Sequence, residues 1–500
     1  MRYVILPMQP TPNGRMHIGH GGGTYLRADV LARSLRAEGH QVAVACGTDA
    51  YENWVLAAAA REGRPVREVC QTYHEGIYAD LTALGVRFDA WIDPLVEEHR
   101  QPYLDLHTEL FQEVTDHGTA QLEAESIPYT HGGSALMGTF IAGGCPTCGA
   151  PADGSSCTAC GEHFQPSQLK DPHPRLSDSP ITWRQEKNWF LSPRSGEELL
   201  EALDRSGLAA EHRAVAARYL ERSGGRIRLS GPGKWGVTSP LLPEGRVLSN
   251  SYYLYAVYAA RQVAAGAGAF DADSDAITVG VFGTDNSTPG LVVPGLYAQG
   301  TRGRLKAFDH TVVNGMLDLD ERKCSTSKRY GIWLADGLGS GIMTADELRF
   351  ALAGVELDSG RANLDLAALA ATVSSFRRLV RDRVVPALRA AGDAAEADPA
   401  LLAQQRAYLQ PATLHLPRAR EVLLAHLRSP NPDPSGWLAT LAMLSAPLTP
   451  HLSGVIAASA GAPPTSRPDP ELAVRPVLGG GELTALALET IVRRGGDPAP

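Results

Sequence analysis

The chain opens on a pattern that leaves few folds available to it. An unbroken apolar run, Tyr3-Val-Ile-Leu6, is followed by "TPNGRMHIGHGGG" from Thr11 to Gly23. Leu26, Val30, Leu31 and Leu35 then recur at helical spacing up to a stop at Gly39, and a second apolar run spans Gln41 to Cys46. Continuous apolar runs suit strands buried on both faces, and the helical spacing suits a helix with one buried stripe. Strand, glycine turn, helix, strand predicts a βαβ unit and, with it, an α/β fold built on a doubly wound parallel sheet. A later run, Ala276 to Phe282, ends in Gly283-Thr284-Asp285, just as the second strand ends in Gly47-Thr48-Asp49. Ligands of parallel sheets sit beyond the carboxyl ends of the strands, so the two aspartates are candidates to flank one crevice. Gly and Asp are also ordinary turn formers, which is the plainer alternative.

At 500 residues the length predicts about three domains. A hydrophobic content of 44% with 20% charged residues is that of a soluble globular protein. No apolar run approaches the roughly 20 residues a bilayer span needs, and the N-terminus lacks a basic leader and cleavage site, so a cytoplasmic location and no membrane partner are expected. The net charge of −9 argues against a generally basic nucleic-acid binder and leaves room for a local basic face.

Two stretches carry candidate chemistry. Glycines between a strand and a helix set backbone N–H groups at a helix N-terminus, where phosphate binds, and let a flat ring approach the backbone. His17 and His20 are three residues apart, so both can project from one side of the first turn and donate to phosphate oxygens. In oxyanion sites each donor aimed at developing charge lowers the barrier by about 3 kcal/mol. The second stretch is "DERKCSTSKRYG", Asp320 to Gly331. The lysines are Lys170, Lys187, Lys234, Lys306, Lys323 and Lys328, and the last two fall in this one loop. A serine-rich loop with two ammonium groups suits a triphosphate, whose leaving pyrophosphate the lysines can follow. A solvated basic loop is the alternative.

Cys145-x2-Cys148 and Cys157-x2-Cys160 form two knuckles, with Gly149 and Gly161 directly after them. Four thiolates at this spacing close around one tetrahedral zinc and leave no open coordination position. The zinc is therefore structural, and folds an insertion expected to lack a core of its own. Cys46, Cys70 and Cys324 are expected to be reduced and packed. Beyond about residue 360 the chain becomes rich in Ala, Leu and Arg. Val373, Phe376, Val380 and Val384 predict one buried helical face, with Arg377, Arg378, Arg381 and Arg383 mostly off it on a solvated face. Further helices are expected over 413–428, 437–457 and, after a Pro-rich link at 462–476, near 482–494.

In this order the motifs resemble class I aminoacyl-tRNA synthetases, and among them the methionyl group. His17-Ile-Gly-His20 resembles the family's HIGH motif, and Lys323-Cys-Ser-Thr-Ser327 its KMSKS loop. "GGCPTCGAPADGSSCTACGEHFQPSQL" resembles its zinc knuckle. "EKNWFLSP", Glu186 to Pro193, resembles the stretch that leaves the insertion. Gly283-Thr-Asp285 resembles its second nucleotide turn, and "DELRFAL" at 346–352 the segment beyond the lysine loop. The resemblance covers about residues 1–390. It implies a Rossmann-like parallel sheet split by a zinc-knuckle insertion and followed by a C-terminal α-helical bundle. The expected divisions are 1–110, the first half of the nucleotide-binding domain; 111–225, the insertion, with its knuckle at 145–160; and 226–360, the second half with the lysine loop. Residues 361–460 would form a shortened anticodon-binding-like bundle, and 461–500 a link and terminal helix.

Residue by residue, the resemblance implies that His17 and His20 stabilise the adenylation transition state and that Lys323, Ser325, Ser327 and Lys328 hold the triphosphate. Gly19 would lie under the adenine, with Asn13 and Gly283 also on the nucleotide and Asp285 on the ribose. Asp49 would grip the α-amino group, and Thr11 and Tyr258 would line the amino-acid pocket. The implied substrates and cofactors are an amino acid, ATP with Mg²⁺, tRNA and structural Zn²⁺. Three departures stand out. Met8-Gln9-Pro10-Thr11 replaces the family's Ala-Leu-Pro-Tyr, so a hydroxyl stands where an aromatic lines the methionine pocket. Ser251 and Tyr253 stand near the places of a pocket Trp and Asp, and Thr326 replaces the second lysine of the loop. A pocket with added hydroxyls favours a polar side chain. Two other readings follow from these departures: a tRNA-independent paralogue that passes the activated acyl group to an amine or carrier, and a non-catalytic RNA-binding relative.

Overall fold

The computed structural model describes residues 1–205, 208–326, 329–461 and 469–494. The chain forms two compact units. The first holds Met1–Asn13, Ala45–Glu75 and Phe88–Val313; the second holds Gly14–Val44, Gly76–Arg87 and the chain from Asn314 on.

A five-stranded sheet runs in the order His310–Asn314, Ala276–Gly283, Arg2–Pro7, Gln41–Gly47, Ala90–Ile92, and all of it but Gln41–Val44 and Asn314 belongs to the first unit. Arg2–Pro7 runs parallel to Ala276–Gly283 from Arg2↔Ala276 to Pro7↔Val281, and Gln41–Gly47 runs parallel to Ala90–Ile92. Val4, Ile5, Val44, Cys46, Val279 and Val281 are buried almost completely, as a sheet covered on both faces requires. The α/β class and parallel sheet read from the opening pattern are thus observed. Inserted between the sheet's two halves, Ala120–Thr130 pairs antiparallel with Ile181–Leu191 over its full length. A smaller antiparallel sheet of Pro151–Asp153, Ile141–Gly144 and Lys170–Pro174 carries the cysteines. Leu136, Ile141, Cys145, Ala152, Cys157, Phe164 and Leu169 pack together there. The insertion therefore has a small core of its own, contrary to the sequence expectation, and two prospective zinc ligands are part of it.

In the second unit, a π-helical turn over Gly21–Tyr25 leads into the helix Leu26–Ala37, and Gly39, at φ +81°, ends it. The three glycines are buried. A Cβ added to Gly21 would stand 2.9 Å from Leu84 Cδ2, one on Gly22 3.0 Å from Leu352 Cδ2, and one on Gly23 2.7 Å from Asn314 Nδ2. These glycines serve close packing of the helix entry.

The C-terminal helices are Leu366–Leu379, Val385–Ala390, Pro399–Ala407, Leu416–Arg428, Pro434–Leu448 and Pro450–Gly461. Val373, Phe376, Val380 and Val384 are fully buried, as their spacing predicts. Arg378 and Arg381 are exposed, but Arg377 is buried on that same side. It binds both carboxylate oxygens of buried Glu347, at 2.7 and 2.9 Å, and donates to the carbonyls of Ile342, Gly480 and Gly481. A buried guanidinium is tolerable only when its donors are satisfied in this way. The single helix expected over 437–457 is broken at Thr449, because Pro450 has no N–H to continue the ladder. Asp346 caps the new start by accepting from the N–H groups of His451 and Leu452. The helix expected near 482–494 is only Ala485–Glu489. Val492–Arg493 then pairs antiparallel with Gly331–Ile332, and Arg493 forks onto the Asp336 carboxylate.

Candidate active site

In the second unit, His17 and His20 form the entry to the helix together. His17 is the N-cap of Ile18–His20, and Gly19 N–H donates to His17 Nδ1 (3.2 Å). The N–H of His17 donates to His20 Nδ1 (3.3 Å), and the rings stack with centroids 3.8 Å apart. Each Nδ1 is therefore an acceptor, which places the proton of each neutral imidazole on Nε2. Burial is the first cause that lowers both pKa values. His20 falls to about 4, helped by nearby Lys323, and His17 falls well below its ordinary value, helped by His20 and Lys323 and opposed by its own carbonyl. At neutral pH the pair is two uncharged rings, each with one N–H to offer.

The lysine loop packs on this entry. His17 bridges Trp333, Leu334 N–H donates to the Met16 carbonyl (2.9 Å), and an added Cβ on Gly19 would meet Cys324 Cβ at 3.4 Å. A Cβ on Gly14 would stand 2.1 Å from Thr326 Cγ2, so the residue in place of the second lysine lies against the turn before the histidines. Ser325 and Tyr330 exchange backbone hydrogen bonds at 2.8 and 3.0 Å and close the loop. The second unit thus brings together His17, Gly19, His20, Lys323 and Ser325. Ser327 and Lys328 lie outside the described residues.

In the first unit, the sheet order sets three strand ends side by side, at Pro7, Gly47 and Gly283. Met8 N–H donates to the Val281 carbonyl and Asp49 N–H to the Pro10 carbonyl, which ties the Thr11 turn to the Asp49 turn. Asn13 N–H closes on the Thr11 carbonyl (2.9 Å). The Asp49 carboxylate accepts from Asn250 Nδ2, and Asn250 Oδ1 accepts from the Tyr103 hydroxyl. Burial, and then neighbouring Glu52, push the Asp49 carboxyl up to about 8, while the Asn250 amide pulls the other way. Such a carboxyl is set for a cationic ligand, whose charge would restore ionisation. Tyr258 meets the ring of Tyr103 edge-on at 5.2 Å, and its hydroxyl lies 3.0 Å from His99 Nδ1. Asp285 Oδ1 accepts from Asn286 Nδ2 (3.2 Å) just beyond Gly283. The first unit thus places Thr11, Asn13, Asp49, Tyr258, Gly283 and Asp285 on or beside the strand ends.

Tyr253 is fully buried among Phe270, Tyr297 and Phe308, with its hydroxyl on the Lys306 carbonyl. The neighbour that reaches Asp49 is Asn250, which sequence reading missed. Its one local signal is a polar side chain just before an otherwise aromatic and aliphatic helix, Tyr252–Ala260.

The four cysteines lie within 4.8 Å of one another, with Cys145 Sγ 3.8 Å from Cys160 Sγ and Cys148 Sγ 3.7 Å from Cys157 Sγ. A tetrahedron with Zn–S bonds of about 2.3 Å has edges of about 3.8 Å, so the set fits one zinc. Both knuckles share one turn: Gly149 N–H returns to the Cys145 carbonyl and Gly161 N–H to the Cys157 carbonyl, with φ of +75° and +76°. No helix among the described residues is long and apolar enough to cross a membrane.

The methionine–tRNA ligase of Methanocaldococcus jannaschii is 27% identical over 355 residues, 70% of this chain and 53% of that protein. That of Roseiflexus castenholzii is 32% identical over 239 residues, 46% of this chain and 40% of that protein. The chain spans about half the length of the curated relatives it matches. A crystal structure of Mycobacterium tuberculosis methionyl-tRNA synthetase bound by methionyl-adenylate superposes with a TM-score of 0.63 at 19% identity, covering 100% of this chain and 99% of that one. That likeness concerns the fold. Residues 3–375 match the family described as tRNA synthetases class I (M), and with three quarters of its length matched the chain belongs to that family.

Proposed function

We propose that the protein activates an amino acid with ATP as an aminoacyl-adenylate and transfers the acyl group to tRNA. A carboxylate oxygen attacks the α-phosphorus, the bond to the bridging oxygen of the β-phosphate breaks, and pyrophosphate leaves. A ribose hydroxyl of the tRNA terminus then attacks the acyl carbon and AMP leaves.

The observation that carries this reading is the neutral, stacked histidine pair held against the lysine loop within one unit. The Nε2–H groups of His17 and His20 donate to α-phosphate oxygens as charge builds there, and both are fixed beforehand by Nδ1 contacts to backbone N–H groups. Gly19 passes under the adenine. Lys323, Ser325, Ser327 and Lys328 hold the β- and γ-phosphates, and Mg²⁺ accompanies the triphosphate as its counter-ion. In the first unit, Asp49 receives the α-ammonium group, Thr11 and Tyr258 border the amino-acid side chain, and Asn13, Gly283 and Asp285 take the nucleotide's sugar side. The hydroxyl of Thr11 supports a polar side chain on the substrate. Zinc on Cys145, Cys148, Cys157 and Cys160 supplies a cross-link that holds the insertion in shape. A cytoplasmic location completes the reading.

ATP–pyrophosphate exchange measured across the standard amino acids tests it. Exchange should depend on one amino acid and vanish in His20→Ala; no exchange with any of them refutes activation. Labelled amino acid that becomes RNase-sensitive on adding tRNA supports tRNA as acceptor, and amide product in its place would show a small-molecule acceptor.

A further inference from the structure

Behind Asp49 runs a hydrogen-bond chain that begins far from it in sequence. Asn250 Nδ2 donates to Asp49 Oδ1, and Asn250 Oδ1 accepts from the Tyr103 hydroxyl. The polarity of the amide is thereby decided. Turned over, it would require the protonated form of Asp49, which cannot hold an ammonium group, and would leave the proton of the tyrosine hydroxyl without its acceptor. Tyr103 is itself immobilised. It is fully buried on the helix Glu97–Asp116, stacks on Tyr51 at 5.7 Å and 8°, and meets Tyr255 and Tyr258 edge-on. One turn along the same helix, His107 Nδ1 donates to the Tyr103 carbonyl (3.0 Å). This leaves His107 Nε2 buried as a lone pair without a hydrogen-bond partner.

We infer that Asn250 is the positioning residue of the amino-acid site: oriented by Tyr103, its amide fixes the Asp49 carboxylate that receives the substrate's α-ammonium group. The inference rests on the role given to Asp49 above. Asn250 does not touch the substrate. It acts through Asp49, so losing it should blur the site for one substrate and leave the nucleotide alone. A merely space-filling amide would change stability without this selectivity.

Asn250→Ala, Tyr103→Phe, Asp49→Ala and the double variant Asp49→Ala/Asn250→Ala, all in the full chain, test it in two ways. In ATP–pyrophosphate exchange, Asn250→Ala should raise the KM for the amino acid about tenfold, the value of a hydrogen bond to a charged group, with a smaller rise in Tyr103→Phe. The KM for ATP should stay within about twofold in both. In thermal unfolding at pH 7, the Tm shifts of Asp49→Ala and Asn250→Ala should be clearly non-additive, because each removes the same contact. Equal rises in both KM values, no rise in either, or additive Tm shifts would overturn the inference. If the unmutated protein exchanges with no amino acid at all, the functional reading fails. The unfolding cycle then still decides whether Asn250 holds Asp49.

Discussion

Lowering the pH from 7 to 5 should destabilise this protein measurably through one identifiable ring. His20 titrates at about 4 in the folded chain against an ordinary 6.5 in the unfolded one, because burial and Lys323 both disfavour its charged form. Between those two values the unfolded chain binds the proton and the folded chain does not. Stability is therefore lost as pH falls through 6.5 toward 4 and is fully present above 6.5. At pH 5 the unfolded ring is almost wholly protonated and the folded ring in roughly one molecule in ten, which puts the loss relative to pH 7 at about 2 kcal/mol. His20→Asn keeps a polar side chain without this titration. Urea unfolding of both proteins at pH 7 and pH 5 should show the unmutated chain losing about 2 kcal/mol more than the variant over that interval. His107 and His163, on which His20 does not act, titrate alike in both and cancel, whereas His17, which His20 also holds down, is released in the variant and widens the difference. Parallel losses would refute the argument, and with it the claim that burial and Lys323 hold His20 neutral.

Three further outcomes are expected. The purified chain should carry one zinc by atomic absorption, and Cys157→Ser should lose it together with protease resistance of 111–225, since Cys157 is buried in the insertion's small core. Gly23→Ala should lower stability by about 1–3 kcal/mol in thermal unfolding, because its Cβ would sit 2.7 Å from Asn314 Nδ2. Amino-acid binding measured by calorimetry should tighten as pH rises from 6 to 8 and release a proton, since empty Asp49 titrates at about 8 and must ionise to hold an ammonium; Asp49→Asn should abolish the pH dependence.

Much of the fold is legible in local pattern. Tyr3–Leu6, Gln41–Cys46 and Ala276–Phe282 announce themselves because strands buried on both faces need unbroken apolar runs, and the cysteine spacing announces a four-sulfur cage. What was not legible depends on partners distant in sequence. The packing role of Gly21 to Gly23 is seen only with Leu84, Leu352 and Asn314 against them. Arg377 looks solvated because its spacing leaves it beside the apolar stripe, and only Glu347 and the 480–481 carbonyls make its burial affordable. Asn250 could not be found at all: it matters because Asp49 lies 201 residues away in sequence and Tyr103 147 away. The paired histidines were visible as residues, but their mutual capping, which sets their tautomers, is a property of the turn.

The strand Val492–Arg493 has a consequence for how the molecule comes into being. It supplies the hydrogen-bonding neighbour of Gly331–Ile332, the segment that leaves the lysine loop. A ribosome delivers that neighbour only after the whole helical region between them has been made. During synthesis the loop's exit therefore spends a long interval as a bare sheet edge, open to chaperones or to pairing with a second nascent chain. The histidine and lysine-loop cluster of this unit is consequently among the last parts to mature, however early its histidines emerge.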